Sequence, residues 1–478
     1  MKANIFSECN DLPIFIVNIS KTSTIQVIRT KCKGGGKNVA KEKKSINKQK
    51  RAERRLGYTL VAPALLLILA VAIWPVIQSF YFSLFDYRLN DPTKSSIHME
   101  YSLDLERYLN NYPFLVSALD NEIADTSGDF QESLVEIKND LQTVDEEIRS
   151  DEDVAVRYEQ VNEILYNFKV PSDEIKFVTL KKGTSEQFQT TLTEASNQLN
   201  ELRVSEEFKQ AEKVTGLANG LKGAIIKPNF IGIDHYKNNV TDIRMWKALS
   251  NTFVFTILSV AVELVLGLAI AILINKAFFG RGLVRAAILI PWAIPTAVSA
   301  LMWKFLYDGQ NGIVAKYFAD LGIISGMSDL LTTGTGAMFA VIFSDVWKTT
   351  PYMALLLLAG LQTIPSSLYE AASIDGANKW KQFTSVTLPL LKSSILVALL
   401  FRTLDAFRVF DLIFVLTGGG PANTTETISI LAYKVMFSQT NFGEGSALAV
   451  IVFLFVALIS TIYIKFLGSD LISDGSKK

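Results

Sequence analysis

Cysteine and histidine are scarce in this 478-residue sequence, which contains two of each. Both cysteines, Cys9 and Cys32, lie near the N-terminus, so no disulfide framework supports the rest of the chain. The two histidines, His98 and His235, are far apart in sequence, and no cluster has the spacing of metal ligands. We therefore expect no bound metal.

The sequence also lacks a phosphate-binding loop. The run "GGGK" at Gly34–Lys37 does not have the G-x-x-x-x-G-K-[ST] spacing, and that spacing occurs nowhere else. The chain is therefore not expected to bind ATP or another cofactor by itself. No residue arrangement typical of a catalytic site is present either. We expect a non-catalytic protein that does not bind nucleic acid.

A net charge of zero hides a strong separation of charge along the chain. Residues 1–57 contain 14 Lys or Arg and 4 Asp or Glu, whereas residues 84–245 contain 17 Lys or Arg and 30 Asp or Glu. The first segment has no apolar periodicity and is predicted to be a disordered basic tail. In a membrane protein, such asymmetry indicates which side each segment occupies.

Long apolar runs are abundant, and 49% of the residues are hydrophobic. A helix needs about twenty apolar residues to cross a hydrocarbon core of about 30 Å, and lipid offers no partner for open backbone groups. Six runs qualify, at about residues 58–83, 248–275, 284–307, 337–360, 393–416 and 446–468. The predicted fold class is an all-α polytopic membrane protein with six transmembrane helices and a large helical extracytoplasmic insert.

Basic residues in the short loops indicate the orientation. In a six-span arrangement, four basic clusters fall on one side: residues 1–57; Lys276, Arg281 and Arg285; Lys379, Lys381 and Lys392; Lys477 and Lys478. This is the positive-inside pattern. We predict a multi-pass protein of the bacterial cytoplasmic (inner) membrane with both termini in the cytoplasm.

The predicted organisation follows from these runs and charges. It comprises a cytoplasmic tail (1–57), a first transmembrane helix (58–83), an acidic extracytoplasmic insert (84–245), a core with five transmembrane helices (246–470) that includes a cytoplasmic loop (361–392), and a cytoplasmic C-terminal tail (471–478).

The insert contains two apolar seams at heptad spacing. They consist of Leu134, Ile137, Leu141, Val144 and Ile148, and of Phe188, Leu192, Ala195, Leu199 and Leu202. Two antiparallel helices could bury these seams against each other in a coiled-coil-like hairpin reaching about 50 Å from the membrane. Alternatively, two amphipathic helices could fold back on a compact cap. The sequence leaves both forms open.

The stretch "IPSSLYEAASIDGANKW" (Ile364–Trp380) interrupts the apolar pattern between the fourth and fifth runs. Residues 370–372 are good helix formers, and Gly376 is predicted to end that helix with a positive φ. A second helix is predicted to start near Ala377 and to return to the membrane. The result is a knob in the cytoplasm, through which a soluble partner can transmit motion to the attached spans.

This stretch resembles the EAA loop of binding-protein-dependent ABC importer permeases. The family pattern, E-A-A, three residues, then G-x9-[IV]-x-L-P, is met by Glu370, Ala371, Ala372, Gly376, Val386, Leu388 and Pro389. The stretches "NFIGIDHY" (Asn229–Tyr236) and "FRVFDLIFVLTGGGPANTTE" (Phe407–Glu426) are similar to the sugar branch of the family, of the maltose and glycerol-phosphate type. The resemblance covers all six runs, but not residues 1–57 or most of 84–225.

The resemblance implies partners. A permease of this family pairs with a second permease subunit and docks on a dimer of ABC ATPase subunits, which bind the ATP and Mg²⁺. An extracellular solute-binding protein delivers the substrate, here a sugar or related polyol. Carried over to this sequence, the ATPase-coupling residues are Glu370, Ala371, Ala372, Asp375, Gly376 and Ala377.

Charged residues recur at every third position of the fifth run, at Arg402, Asp405, Arg408 and Asp411. An ionised side chain at the bilayer centre costs about 2.5–3.5 kcal/mol, so these four cannot all face lipid. This part of the fifth span contributes to a sugar site in the family, and aromatic rings with charged groups suit polyhydroxylated ligands. The predicted substrate-pathway residues are therefore Asp405, Phe407, Arg408, Phe410 and Asp411.

An ion-pair network, within the chain or between subunits, is the alternative explanation of these charges. Asp345, Trp347 and Lys348 in the fourth run invite the same two interpretations. Taken together, the sequence predicts the translocation subunit of an ATP-driven importer that works by alternating access. Two other functions stay open: an ion-coupled secondary transporter, and a membrane-anchored scaffold that acts through the insert.

Overall fold

The computed structural model describes residues 15–19, 25–29, 54–203 and 208–475. The chain forms two compact units, Met1–Ile77 and Gln78–Lys478. In the first unit, two short strands, β1 (Phe15–Ile19) and β2 (Ile25–Arg29), pair antiparallel. The rest of the tail that was predicted to be disordered, up to residue 53, lies outside the described residues.

From residue 54 onward the described chain is mostly helical. In chain order, the helices are α1 (Arg54–Phe82), α2 (Leu105–Leu109), α3 (Tyr112–Asp125), α4 (Asp129–Arg149), α5 (Glu152–Tyr166), α6 (Asp173–Lys176), α7 (Lys182–Leu202), α8 (Ala211–Lys222), α9 (Asp234–Thr241), α10 (Ile243–Asn275), α11 (Arg281–Ala293), α12 (Thr296–Leu306), α13 (Ile313–Asp320), α14 (Asp329–Thr332), α15 (Gly334–Leu361), α16 (Ser366–Ile374), α17 (Lys379–Phe407), α18 (Asp411–Leu416), α19 (Ile428–Ser438) and α20 (Phe442–Gly475). A small antiparallel sheet of order β4-β3-β5 lies in the insert, formed by β3 (Ser102–Asp104), β4 (Phe177–Thr179) and β5 (Ile225–Ile226).

Length and apolarity single out the helices that can cross a membrane. Within the described ranges, α1, α10, α17 and α20 qualify alone, with mean hydropathies of 2.7, 2.8, 1.7 and 2.8. The bent pairs α11–α12 and α15–α16 qualify when each is taken together, with bends of 88° and 71°. The predicted class, a helical polytopic membrane protein, is confirmed. The count of six spans stays a prediction.

Two of the predicted spans differ in shape from a continuous helix. The third, about residues 284–307, breaks between Ala293 and Thr296, where Pro295 has no N–H for a helical hydrogen bond. The fifth, about residues 393–416, is divided, because α17 ends at Phe407 and α18 begins at Asp411. The row of charges therefore does not wind around one helix.

The described residues of the insert share one apolar core. Both predicted seams are buried on α4 and α7, except for the half-buried Leu202, and the two helices contact each other. Their side chains share this core with residues of α2, α3, α5, α8 and all three strands. The structure therefore describes a compact cap, the second of the two forms left open by the sequence, because each seam packs against several neighbours at once.

The insert and the loop after α15 lie at opposite ends of the helix bundle. Helix α10 begins beside the insert and runs away from it, and α15 packs against α10 in the same direction. Thr349 donates a hydrogen bond to Glu263 over 2.7 Å, and four residues further along both helices Gly267 lies against Met353. Helix α16 therefore lies at the end of the bundle remote from the insert.

Candidate substrate cavity and coupling loop

A buried ion cluster joins three of the long helices. Arg402 on α17 is 1% exposed, and its Nε and Nη2 donate to the two carboxylate oxygens of Glu263 on α10 over 2.5 and 2.9 Å. The same Nη2 donates to Asp345 on α15. A buried charge costs several kcal/mol unless it is paired and hydrogen-bonded. The cluster therefore fixes the relative positions of α10, α15 and α17.

Two exposed charges extend this cluster into open space. Asp405 accepts a hydrogen bond from Arg402 Nη1 over 3.4 Å, and Arg408 Nη2 lies 3.9 Å from the other oxygen of Asp405. The side chains of Asp405 and Arg408 are 59% and 69% exposed. Exposed pairs of this kind contribute about 0–1 kcal/mol. Both groups are therefore available to hydrogen-bond a ligand.

These charges face a cavity of about 520 Å³. Its volume falls in the usual range of about 300–1,000 Å³ for small-molecule sites. The walls come from the break in the third span, from α15, and from the break between α17 and α18. They comprise Trp292, Ala293, Ile294, Pro295, Thr296, Asp345, Lys348, Thr349, Arg402, Asp405, Arg408, Val409, Phe410, Asp411 and Leu412.

The breaks in two spans add further polar groups to the cavity wall. At the first break, Lys348 Nζ donates over 2.5 Å to the carbonyl oxygen of Ile294, at the C-terminal end of α11. A cation at this position donates to a carbonyl that has no partner within the helix, and it is stabilised by the negative end of the helix dipole. At the second break, the chain between α17 and α18 presents Arg408, Val409 and Phe410 to the cavity.

Aromatic side chains stand among the polar ones. Trp292 stacks on Tyr352 with ring centroids 5.6 Å apart, and Phe410 stacks on Phe414 with centroids 5.1 Å apart. The faces of such rings pack on the apolar face of a sugar ring, and charged groups form strong hydrogen bonds to hydroxyls. The cavity can thus bind a polyhydroxylated ligand by both kinds of contact.

Four of the five predicted substrate-pathway residues line this cavity: Asp405, Arg408, Phe410 and Asp411. Phe407 does not. It is fully buried in a separate packing cluster. The centroid of its ring lies 5.3 Å from the ring centroid of Phe253 and 6.0 Å from that of Phe455. The structure places Phe407 among the side chains that hold helices together.

The sequence reasoning missed Glu263 and Trp292. Glu263 had a clear signal, because it is the one charged residue in the apolar run 248–275. An ionisable residue within a transmembrane segment is generally a candidate for a functional role. Trp292 had no such signal, since its position at the cavity depends on the break two residues later.

The predicted coupling loop is a short helix folded onto the start of α17. Gly376 has φ +80°, the left-handed conformation that its predicted role requires, and Ala377 N–H donates to Ala372 O over 2.9 Å. Glu370, Ala371, Asp375 and Gly376 are exposed, and Ala372 and Ala377 are half-buried.

Side-chain hydrogen bonds hold this loop rigid. The hydroxyls of Tyr369 on α16 and Thr387 on α17 are 3.0 Å apart. Gln382 Nε2 donates to Ser373 Oγ over 2.8 Å and to Ala377 O over 3.1 Å. Because α17 continues from this point to the cavity, the loop and the cavity wall share one helix.

A second charged cluster lies toward the insert end. Glu426, between α18 and α19, is buried and accepts from Arg244 Nε and Nη2, each over 2.9 Å, and from Lys434 Nζ over 2.8 Å. Burial raises the pKa of the Glu426 carboxyl, but the bonds and charges of the two basic partners outweigh it and hold the pKa below its usual range.

In the described part of the chain, no group of three or more His, Cys, Asp or Glu could hold a metal ion.

A helical bundle that crosses the membrane several times, with a polar cavity inside it and a rigid knob at one end, defines a membrane transport protein. Residues 263–472 match the family described as binding-protein-dependent transport system inner membrane component. The chain belongs to this family and is a permease subunit of an ABC importer. The match begins at Glu263, so α1, the insert and the start of α10 precede it.

Named relatives cover about half of this chain. It is 44% identical to the trehalose/maltose transport system permease protein MalF of Thermococcus litoralis over 236 residues, 49% of this chain and 79% of that one. It is 45% identical to the trehalose transport system permease protein SugA of Mycobacterium tuberculosis over 240 residues, 50% of this chain and 76% of that one. A solved bacterial ABC transporter involved in alginate import aligns at 22% identity with a TM-score of 0.46, over 50% of this chain and 84% of that one.

Proposed function

We propose that this permease subunit moves a sugar or related polyol through the cavity beside Arg402 by alternating access. The observation that carries the proposal is the lining of that cavity, where Trp292 and Phe410 offer ring faces and Asp405, Arg408 and Asp411 offer charged hydrogen-bonding groups. Relatives named for trehalose and maltose, at 44–45% identity, support a saccharide.

The energy comes from other chains in this proposal. An ABC ATPase dimer binds ATP and Mg²⁺ and docks on the coupling loop, with Glu370, Ala371, Ala372, Asp375, Gly376 and Ala377 as the contact. The exposure of Glu370, Ala371, Asp375 and Gly376 supports this role, as does the rigid attachment of the loop to α17. A second permease subunit completes the pathway, and this chain performs no catalysis.

The proposed location is the bacterial cytoplasmic membrane, with both termini and the coupling loop in the cytoplasm and the insert outside. The distribution of Lys and Arg among the short loops supports this orientation. The position of the insert at the end of the bundle remote from α16 supports it as well, because the ATPase and a solute-binding protein approach from opposite sides. The binding protein delivers the sugar on the insert side.

Transport in proteoliposomes tests the proposal. The chain is reconstituted with its second permease and its ATPase, with ATP inside the vesicles, where it drives the transporters whose ATPase faces the lumen, and with the binding protein and the sugar outside. We expect uptake of a radiolabelled disaccharide that stops when the ATPase or the ATP is omitted and continues when an ionophore abolishes ion gradients. Uptake that persists without ATPase and collapses with the ionophore would instead establish an ion-coupled transporter.

A further inference from the structure

Three basic side chains near the turn between the second and third spans have no acidic partner. Residues 276–285, called the basic turn below, join α10 to α11 and contain Lys276, Arg281 and Arg285. None of the three forms an ion pair with a described residue. The sequence contains no Asp or Glu from residue 264 to residue 307, so the basic turn is a local concentration of positive charge.

The basic turn lies at the membrane surface, on the side of the coupling loop. Helix α10 is long and apolar enough to cross a membrane alone, and it ends at Asn275, immediately before the basic turn. It runs away from the insert, so its end and helix α16 lie at the same end of the bundle. Because the apolar sequence of a span stops where the lipid headgroups begin, Lys276 lies at the level of the lipid phosphates.

An exposed apolar stripe on α10 leads to the basic turn. The stripe consists of Val262, Val265, Leu266 and Leu273, which are between 43% and 67% exposed. These residues stand at positions i, i+3, i+4 and i+11, which fall on one face of a helix. Phe279, within the basic turn, is fully exposed. A ligand that follows the stripe into the turn therefore meets apolar side chains in the span and cations at its end.

The basic turn also contains hydrogen-bond donors without a partner. Arg281 and Arg285 lie four residues apart on α11, so their side chains share one face of that helix. Arg285 Nη2 donates to Ile274 O over 3.2 Å, which holds this guanidinium beside the end of α10. The Nε atoms of both arginines are buried and donate to no described residue. An unsatisfied buried donor is costly, and the planar fork of a guanidinium matches the oxygens of a phosphate.

A phospholipid complements this combination along its whole length. Its acyl chains are apolar where the stripe is apolar, and its phosphate lies at the level of the basic turn. Basic clusters between the ends of membrane helices attract anionic headgroups. An ATPase that approaches from outside the bilayer would leave the stripe uncovered. A second permease would have to supply carboxylates at the membrane surface, whereas an anionic lipid brings its negative charge to that level.

We propose that the basic turn binds the headgroup of an anionic phospholipid, in the leaflet on the side of the coupling loop, while an acyl chain lies along the apolar stripe of α10. Lys276, Arg281 and Arg285 donate hydrogen bonds to the phosphate. The lipid joins the end of α10 to the start of α11. This inference is independent of the transported solute and of the protein partners proposed above.

The test measures lipid binding to the full-length purified chain in detergent by native mass spectrometry. Dioleoyl-phosphatidylglycerol is titrated, and the populations of lipid-bound chain give the dissociation constant of the first lipid. The variant combines Lys276→Gln with Arg281→Gln and keeps Arg285, because that side chain also bonds to α10. The matched control combines Lys379→Gln with Lys381→Gln, which removes two exposed lysines at the same end of the bundle.

We expect the variant in the basic turn to bind phosphatidylglycerol about thirtyfold more weakly, because each basic group near an anionic headgroup contributes about a fivefold gain in affinity. The lysine control should weaken binding no more than about threefold, because charges outside the site act through screening salt. An unchanged dissociation constant in the variant would overturn the proposal. An equal loss in the control would also overturn it, because general charge attraction would then explain the binding.

Two further ligands separate the lipid from other sources of phosphate. Dioleoyl-phosphatidylcholine has the same chains and a phosphate but no net charge, so it should bind more weakly and should not respond to the substitutions. Glycerophosphoglycerol is the headgroup without its chains and should show no binding at the same concentrations. Binding of this soluble headgroup as tight as that of the lipid would assign the basic turn to a soluble phosphate compound and would overturn the proposal.

A dye at position 279 reports whether lipid or protein covers the basic turn in a bilayer. Phe279→Cys is combined with Cys9→Ser and Cys32→Ser, and the labelled chain is placed in nanodiscs with brominated phosphatidylglycerol or, at equal mole fraction, brominated phosphatidylcholine. We expect stronger quenching by phosphatidylglycerol, and equal quenching by both lipids once Lys276→Gln and Arg281→Gln are added. Equal quenching without these two substitutions, or quenching lost when the ATPase or the second permease is added, would overturn the proposal.

Discussion

Arg402 and Glu263 are 139 positions apart in sequence and form a two-point ion pair between α17 and α10. Asp345 of α15 accepts a hydrogen bond from the same guanidinium, so the charge of Arg402 interacts with carboxylates on two other helices. Arg402, the first charge of the row in the fifth span, is therefore held in an intramolecular network at the cavity wall, whereas Asp405 and Arg408 expose most of their side chains to the cavity.

Removing the cation alone should destabilise the bundle strongly. Arg402→Met leaves Glu263 and Asp345 buried without their partner, a change that costs about 3–5 kcal/mol in comparable buried pairs. We expect a large drop in the thermal unfolding midpoint of the purified protein in detergent. Combining Arg402→Met with Glu263→Gln and Asp345→Asn should recover most of the loss. Arg408→Met, which removes an exposed arginine, is the control and should change the midpoint little; equal effects of the two arginine variants would contradict the buried network.

Substitution of a cavity residue should change the KM for sugar uptake, whereas substitution of a residue in the packing cluster should change stability. Trp292→Ala removes a ring face worth about 0.5–1.5 kcal/mol, so the KM for sugar uptake should rise about two- to tenfold with little loss of stability. Phe407→Leu should instead lower stability by about 1–2 kcal/mol and leave the KM unchanged. Uptake by both variants is measured in proteoliposomes, alongside thermal unfolding. A KM effect confined to Phe407→Leu would reverse the assignment.

Substitutions at Gly376 test whether the coupling loop needs the left-handed turn. A Cβ at this position would meet no atom within 4 Å, so only φ +80° restricts which residues fit. Gly376→Asn should keep most of the transport rate, because Asn tolerates the left-handed region. Gly376→Val should lower transport at least tenfold, because a β-branched residue does not. ATP-driven uptake and co-purification of the ATPase are the two measurements, and equal activity of Asn and Val variants would exclude a role for the turn.

The Glu426 cluster predicts a pH dependence. The folded pKa of Glu426 lies below its ordinary value of 4.5, so its contribution to stability is present above pH 4.5 and is lost as the pH falls through the folded pKa. At pH 7, Glu426→Gln should cost about 1.5–3 kcal/mol through weakened bonds to Arg244 and Lys434. Thermal unfolding of both proteins is compared from pH 7 to pH 3. The difference should shrink below about pH 4.5; a difference that grows in acid would contradict the assignment.

Elements with strong local signals could be predicted from the sequence. The apolar runs marked the long helices, and the pattern around Gly376 gave the helix, the left-handed turn and the returning helix. The heptad positions on α4 and α7 were identified as buried, because burial follows from periodicity alone. What those seams pack against could not be deduced, since periodicity does not say how many partners share a face.

The cavity is formed by residues that are distant along the chain, so only part of it could be predicted from the sequence. Asp405, Arg408, Phe410 and Asp411 were named from one stretch of sequence, and they line the cavity because the helix ends at Phe407. The prediction of one continuous helix over residues 393–416 is therefore wrong. Phe407 carries the same aromatic signal as Phe410, but packing against Phe253 and Phe455 decides its position, and such contacts are not visible in a local pattern.

Helix α17 extends over 29 residues, from Lys379, just after the turn at Gly376, to the cavity wall at Arg402 and Asp405, and residues 383–387 form a π-helical turn within it. A helix of this length measures about 43 Å, so a tilt of about 10° at one end displaces the other by about 7 Å. Distant defects along one helix can compensate each other. Second-site revertants of a damaged Gly376 turn should therefore concentrate along α17 itself, and few should arise in parts of the bundle that this helix does not contact.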